Sequence, residues 1–132
     1  MQLRTHSSLA KTLSFAVIHL ALAVGIGWLL TGTFVLAGLL ALVEPAVNTV
    51  VAHRLTQLRI GEGRSRKEQA LMKSGLLGVS HLFVAVGVGI ALGGSLVAMT
   101  AYAVLEPLAN AVAHYFFDLW WERRGQRALA AA

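Results

Sequence analysis

Between Thr12 and His53, and again between Ser74 and Glu122, the chain contains neither Lys nor Arg. One membrane crossing needs only about 20 predominantly apolar residues, so each interval has room for two. All eleven Lys and Arg fall into three short blocks at the two ends and the middle of the 132 residues. Composition agrees: 57% of residues are apolar and 13% charged, against roughly a quarter charged in an average soluble domain. A disordered chain is excluded by the apolar content. The absence of cysteine excludes a disulfide scaffold, a zinc ribbon, a thiol nucleophile and an iron–sulfur site.

Each charge-free interval is divided by a short polar or glycine break, Thr31-Gly32-Thr33 in the first and Gly93-Gly94-Ser95 in the second. Backbone groups in lipid must pair within their own segment, and the period-two alternation of a β-barrel is missing. The expected fold class is therefore an all-α integral membrane protein. Its four transmembrane helices lie near 12–30, 34–55, 74–92 and 96–118. The domain plan is an N-terminal tail 1–11, a first two-helix repeat 12–56, a basic loop 57–73, a second two-helix repeat 74–121 and a C-terminal tail 122–132.

Arg4 and Lys11 precede the first helix, and Arg54, Arg59, Arg64, Arg66, Lys67 and Lys73 lie between the second and third. Arg123, Arg124 and Arg127 follow the fourth, while the hairpin tips carry no basic residue. The positive-inside rule then puts both termini and the middle loop in the cytoplasm. For the basic loop the expectation is a solvated, orienting segment whose partners are the bilayer and its anionic headgroups. No basic amphipathic helix with interleaved aromatics stands out, so nucleic-acid binding is not expected. A secretory signal peptide ending near Ala21-Leu22-Ala23 is a rival for the first segment. It is weakened by the recurrence of that segment in the chain interior.

Sliding the chain on itself by 62 residues superposes Lys11 on Lys73, His19 on His81, Gly27 on Gly89, Glu44-Pro45 on Glu106-Pro107 and Asn48 on Asn110. Across 40 ungapped positions from Lys11 to Val50 there are 16 identities. Shared bias toward Ala, Leu and Val does not supply coincident Lys, His, Glu, Pro and Asn. Both units enter from the same side, so two parallel helical-hairpin repeats are expected, forming a compact four-helix bundle. Ala21 with Gly25, Ala23 with Gly27, and Ala85 with Gly89 are candidates for close helix contact.

Lys11 to Phe15, His19, Leu30-Thr31-Gly32, Ala41-Leu42-Val43-Glu44-Pro45 and Asn48-Thr49-Val50 together resemble the bacterial membrane module known as domain of unknown function 2061. The resemblance covers about 12–56 and 74–121, which implies a tandem of that module in a bacterial inner membrane and implies no activity. The module's tail carries an aromatic residue, a His, a His-Glu pair and a Trp after the Asn. Here His53 matches the first His, while Leu55 and Thr56 replace the His-Glu pair. In the second copy Tyr115, Phe117 and Asp118 are replacements and Trp121 is kept.

Counted from Gly32, His19 lies 13 residues down one helix and Glu44 lies 12 down the other. At about 1.5 Å per residue, both sit roughly 18 to 20 Å below the tip. His81 and Glu106 repeat this about Gly94. A charge at that depth costs about 2.5 to 3.5 kcal/mol on insertion scales, so each Glu either carries its proton or pairs with the His facing it across its hairpin. Glu44, Glu106, His19, His81, Asn48 and Asn110 are accordingly the candidate proton or ligand site. The competing reading is that they are hydrogen-bonding glue, worth about 0.6 kcal/mol per bond.

Pro45 and Pro107 remove helix donors and predict kinks, with small Ala41 and Ala103 at the crowded i−4 positions. In the fourth helix Tyr102, Glu106, Asn110, His114 and Asp118 recur every four residues and make a secondary polar track. For its lower part the plainer expectation is that His114 and Asp118 reach headgroups beside the aromatic belt of Tyr115, Trp120 and Trp121. His19 and His81 at one depth also fit a bis-imidazole haem, although a Glu lies near each. No cofactor and no metal are expected. Nor is catalysis, because no phosphate loop, Ser-His-Asp order or metalloprotease motif occurs. The functional expectation is a small proton-linked transporter, acting as a homodimer or larger because four helices leave little room for a pathway. The alternative is a non-transporting assembly or scaffold protein.

Overall fold

The computed structural model of the chain describes residues 2–130, with side chains described for residues 8–126. Arg4 and Arg127, both part of the basic pattern, lie outside the described side chains. Four helices follow in order: α1 (Gln2–Thr31), α2 (Phe34–Thr56), α3 (Arg66–Ala91) and α4 (Leu96–Ala130). All four are long and apolar enough to cross a membrane, and the chain is an all-α membrane protein.

The hairpin tips fall at the expected breaks, and glycine explains both. Gly32 has φ +70°, and its N–H donates to the Trp28 carbonyl at 2.8 Å. Gly93 has φ +96°, its N–H reaches the Ile90 carbonyl, and the Gly94 N–H reaches the Gly89 carbonyl at 2.8 Å. Those two bonds make the Schellman closure of α3, which needs a left-handed residue at the position Gly93 holds.

At the opposite end the helices run further than the apolar intervals. α3 begins at Arg66 rather than near 74, so the irregular connection shrinks to 57–65, and Arg66, Lys67 and Lys73 are helical. The reason is a capping box. The Ser65 side chain accepts from the Glu68 N–H, and the Glu68 carboxylate accepts from the Ser65 N–H at 2.9 Å. This Ser-x-x-Glu signature is legible in sequence but falls outside the apolar pattern. α1 and α4 likewise continue beyond the expected 12 and 118, through stretches rich in Leu, Ala, Lys, Arg, Gln and Glu, all good helix formers.

Each helix packs on its chain neighbours, and α4 closes the ring on α1. Among the described residues no Cα pair within 8 Å joins α1 to α3 or α2 to α4. The bundle is thus a square whose diagonals stay apart. Exchanging α1 with α3 and α2 with α4 leaves the set of contacting pairs unchanged.

Packing is uneven along the bundle axis. The buried apolar side chains Ala23, Ala37, Leu40, Ala41, Ala85, Met99, Tyr102 and Ala103 all lie on the hairpin side of Glu44 and Glu106, and on the other side only Phe117 is buried among the described residues. Close approach on the hairpin side requires glycine. A Cβ on Gly27 would meet the Ala37 Cβ at 3.1 Å, and one on Gly89 would fall onto the Met99 side chain. Both pairs differ by 62 residues. Ala23 with Gly27, and Ala85 with Gly89, are buried as expected. Ala21 is exposed and a Cβ on Gly25 would meet nothing within 4 Å, so that pair faces outward. The four-residue spacing was right, but its rotation about α1 was not.

Candidate functional site

Both prolines sit within uninterrupted helices, each one residue past a glutamate. Ala41 and Ala103, at the crowded i−4 positions, are buried. The Thr49 hydroxyl donates to the Pro45 carbonyl at 2.8 Å. The glutamates end the packed half of the bundle and face its interior, at 2% exposure for Glu44 and 3% for Glu106.

Glu44 on α2 takes its close partner from the other hairpin, lying 3.2 Å from Nδ1 of His81 on α3, where pairing within its own hairpin was expected. Glu106 on α4 stands between two imidazoles, 3.6 Å from Nδ1 of His19 on α1 and 3.8 Å from Nε2 of His81 in its own hairpin, both beyond hydrogen-bond distance. Equal depth is a property of the hairpin; which neighbour the side chain meets depends on how each helix is rotated. In the square, a residue pointing inward is as close to the adjacent hairpin as to its own.

Each asparagine lies one helical turn beyond its acid and donates to it, Asn48 to Glu44 and Asn110 to Glu106. The Asn48 amide nitrogen also lies 2.9 Å from His81 Nδ1. An unprotonated Nδ1 accepts from Asn48 or from a protonated Glu44, and a protonated Nδ1 donates to a Glu44 carboxylate, so the tautomer sets which contact is a hydrogen bond. Nε2 has no hydrogen-bond partner.

A cavity of about 460 Å³ opens from this cluster. It is lined by the six clustered residues, by Pro45 and Pro107, and by Phe15, Ala111 and His114. Every lining residue lies level with the acids or toward the helix ends that carry the termini. The hairpin side is closed by the packed core. Asn110 Oδ1 and His81 Nε2 are buried without hydrogen-bond partners, so the wall retains unspent capacity. Tyr102, one turn above Glu106, is also buried with its hydroxyl unpartnered, against Gly27 rather than in the cavity.

The lower polar track is tied to α1. Asp118 is held by Lys11 of α1 at 2.7 Å and lies 3.3 Å from His114. His114 in turn meets the Phe15 ring edge-on, with centroids 4.6 Å apart. Three steps thus cross the seam between α1 and α4: Lys11 to Asp118, Phe15 to His114, and His19 to Glu106. Phe15 and Lys11 were missed as site residues, although their four-residue spacing to His19 matches the spacing along α4. His53 lies outside the cluster, 2.9 Å from the Gln57 amide. Among the described residues no group of three His, Cys, Asp or Glu is placed to hold a metal, and His19 and His81 are turned toward carboxylates rather than toward a shared haem.

Four apolar membrane-length helices around a polar centre define a multi-pass membrane protein, for which a lipid bilayer is the environment. The model of the family described as "Predicted membrane protein (DUF2061)" matches residues 9–53 and 71–122, two segments consistent with a tandem arrangement. The chain belongs to that family. Searches of curated proteins and of solved structures each give no match.

Proposed function

We propose that this chain is a small, non-enzymatic, proton-linked transporter of the bacterial inner membrane, in which Glu44 and Glu106 bind protons or a cationic ligand. The termini and the 57–65 connection lie in the cytoplasm, following the basic blocks, so the cavity opens inward. The observation that carries this reading is the placement of two buried carboxylates at the closed end of a one-sided cavity. Such intramembrane acids are costly and usually mark ion or substrate pathways. His19 and His81 balance their charge, and Asn48 and Asn110 hold their orientation. His81 lies between the two acids, its Nδ1 3.2 Å from Glu44 and its Nε2 3.8 Å from Glu106. Four helices enclose one site and no through-path, so the working unit is a homodimer or larger.

A scaffold role is favoured by one specific observation: the cluster ties together all four helices through Glu44, His81, Glu106 and His19. The test separates the two. Purified protein in weakly buffered detergent is mixed with guanidinium or tetramethylammonium, and an indicator follows proton release. The parent protein should release protons, and the Glu44→Gln/Glu106→Gln variant should release none while keeping its far-ultraviolet circular dichroism. In vesicles loaded with a pH dye, a gradient of the same cation should drive proton flux in the parent only. Undiminished release by the double Gln variant would sink the carrier reading. No release from either, with both equally stable, favours glue. For orientation, Gln57→Cys in this cysteine-free chain should react with an impermeant maleimide only after the cells are opened.

A further inference from the structure

A second feature lies on the lipid-facing side of the α1–α4 seam, outside the central cavity. Near the termini a pocket of about 720 Å³ is lined by Trp120, Trp121 and Arg124 together with Phe117 and Ala113. Toward the hairpins a wholly apolar pocket of about 630 Å³ continues from Ala113 along Leu22, Ile26 and Leu105. Ala113 lines both, so the two pockets adjoin along the seam. From Arg124 to Leu105 the two together run roughly 28 Å at 1.5 Å per residue, more than the ~20 to 22 Å of one leaflet with its headgroup.

We propose that together they form a groove that binds one anionic phospholipid of the leaflet that holds the chain's termini, with its phosphate at Arg124 and an acyl chain along Leu22, Ile26 and Leu105. Chemistry along the groove changes as a lipid does. Arg124 stands over the Trp120 ring, 5.4 Å from its centroid, so the guanidinium is held at the groove mouth beside indoles that favour the headgroup level. Beyond Ala113 the lining is apolar. Among the described residues the α2–α3 seam differs: its pocket, which includes Lys73 and Thr56, has about 0 Å³ on the same measure, and 62 residues before Arg124 stands Glu62, which pairs with Arg59 at 3.4 Å. A second copy of the chain is a poor occupant, because a two-fold contact through this groove brings Arg124 toward Arg124 at one depth.

The test uses the full chain carrying Trp28→Phe, which leaves Trp120 and Trp121 as the only tryptophans. It is reconstituted in phosphatidylcholine vesicles containing a rising fraction of phosphatidylglycerol with brominated acyl chains, and in the mirror-image mixture. Quenching gives the relative binding constant of the two lipids. One cation beside a lipid phosphate is worth about a fivefold preference. The expected result is that preference for phosphatidylglycerol in the parent. Arg124→Gln and, independently, Ala113→Phe should bring it to parity, while Arg66→Ala leaves it unchanged. Parity in the parent overturns the proposal, as does a preference that survives both variants. Efficient disulfide crosslinking of Ala109→Cys between copies at high lipid dilution also overturns it, since a second chain then fills the groove.

Discussion

The packed half of the bundle holds Gly89 against Met99, and substituting it tests the packing argument directly. A Cβ at Gly89 falls onto the Sδ and Cγ of Met99 and lies 3.2 Å from its Cβ, whereas a Cβ at Gly87 meets nothing within 4 Å. Both glycines are in the same helix, so the gain in helix propensity from Gly→Ala, about 1 kcal/mol, is common to both substitutions. Their difference isolates the clash. Met99 is fully buried, and overpacking a filled core costs about 1 to 3 kcal/mol. Gly89→Ala should therefore be less stable than Gly87→Ala by that amount, measured by dodecyl sulfate titration followed by circular dichroism. In a Met99→Ala background the atoms that clash are gone except Cβ. The penalty should then shrink to a few tenths of a kcal/mol, a coupling that a double-mutant cycle reads out. Equal effects at Gly87 and Gly89, or a penalty that survives Met99→Ala, would refute the view that the hairpin half is sealed by this contact.

Two other outcomes follow from the terminal side of the bundle. Lys11 and Asp118 are each about a third exposed at the side chain, so their coupling in a Lys11→Met/Asp118→Asn cycle should reach no more than about 1 kcal/mol and weaken with salt. Ser65→Ala removes the α3 capping box and should cost about 1 kcal/mol; hydrogen exchange should quicken at Arg66 to Leu71 and leave Ser80 to Ala91 unchanged.

The hairpin tips and the depth of the polar residues were legible because they depend on local chemistry: glycine where φ must be positive, and a helix rise that converts residue counts into depth. The helix ends were not. The apolar pattern reports where lipid stops, while a helix stops where a cap or breaker stands, and at Ser65 the cap lies eight residues outside the apolar stretch. The close partner of Glu44 lies outside its hairpin for a different reason. Residue counts fix height along a helix but not rotation about it, and rotation decides whether an inward side chain meets its own hairpin or the next. The α1 ladder of Lys11, Phe15 and His19 was visible at four-residue spacing. Lys11 reads in sequence as an orienting charge, which hides its place in a ladder that matches the period of α4.

The pairing of Glu44 across hairpins bears on why the two are joined. Glu44 takes its close imidazole from α3 and Glu106 stands between His19 and His81, while each asparagine serves the acid of its own helix. The first hairpin alone would therefore orient Glu44 and leave it without a close histidine. Docking of the second hairpin brings His81 to Glu44, below the small-residue contacts of the packed half. The short 57–65 connection makes that docking intramolecular, and the cavity is completed by residues from all four helices. Binding at the cluster and association of the two hairpins draw on the same contacts, so an occupant that displaces His81 from Glu44 also loosens the α2–α3 seam.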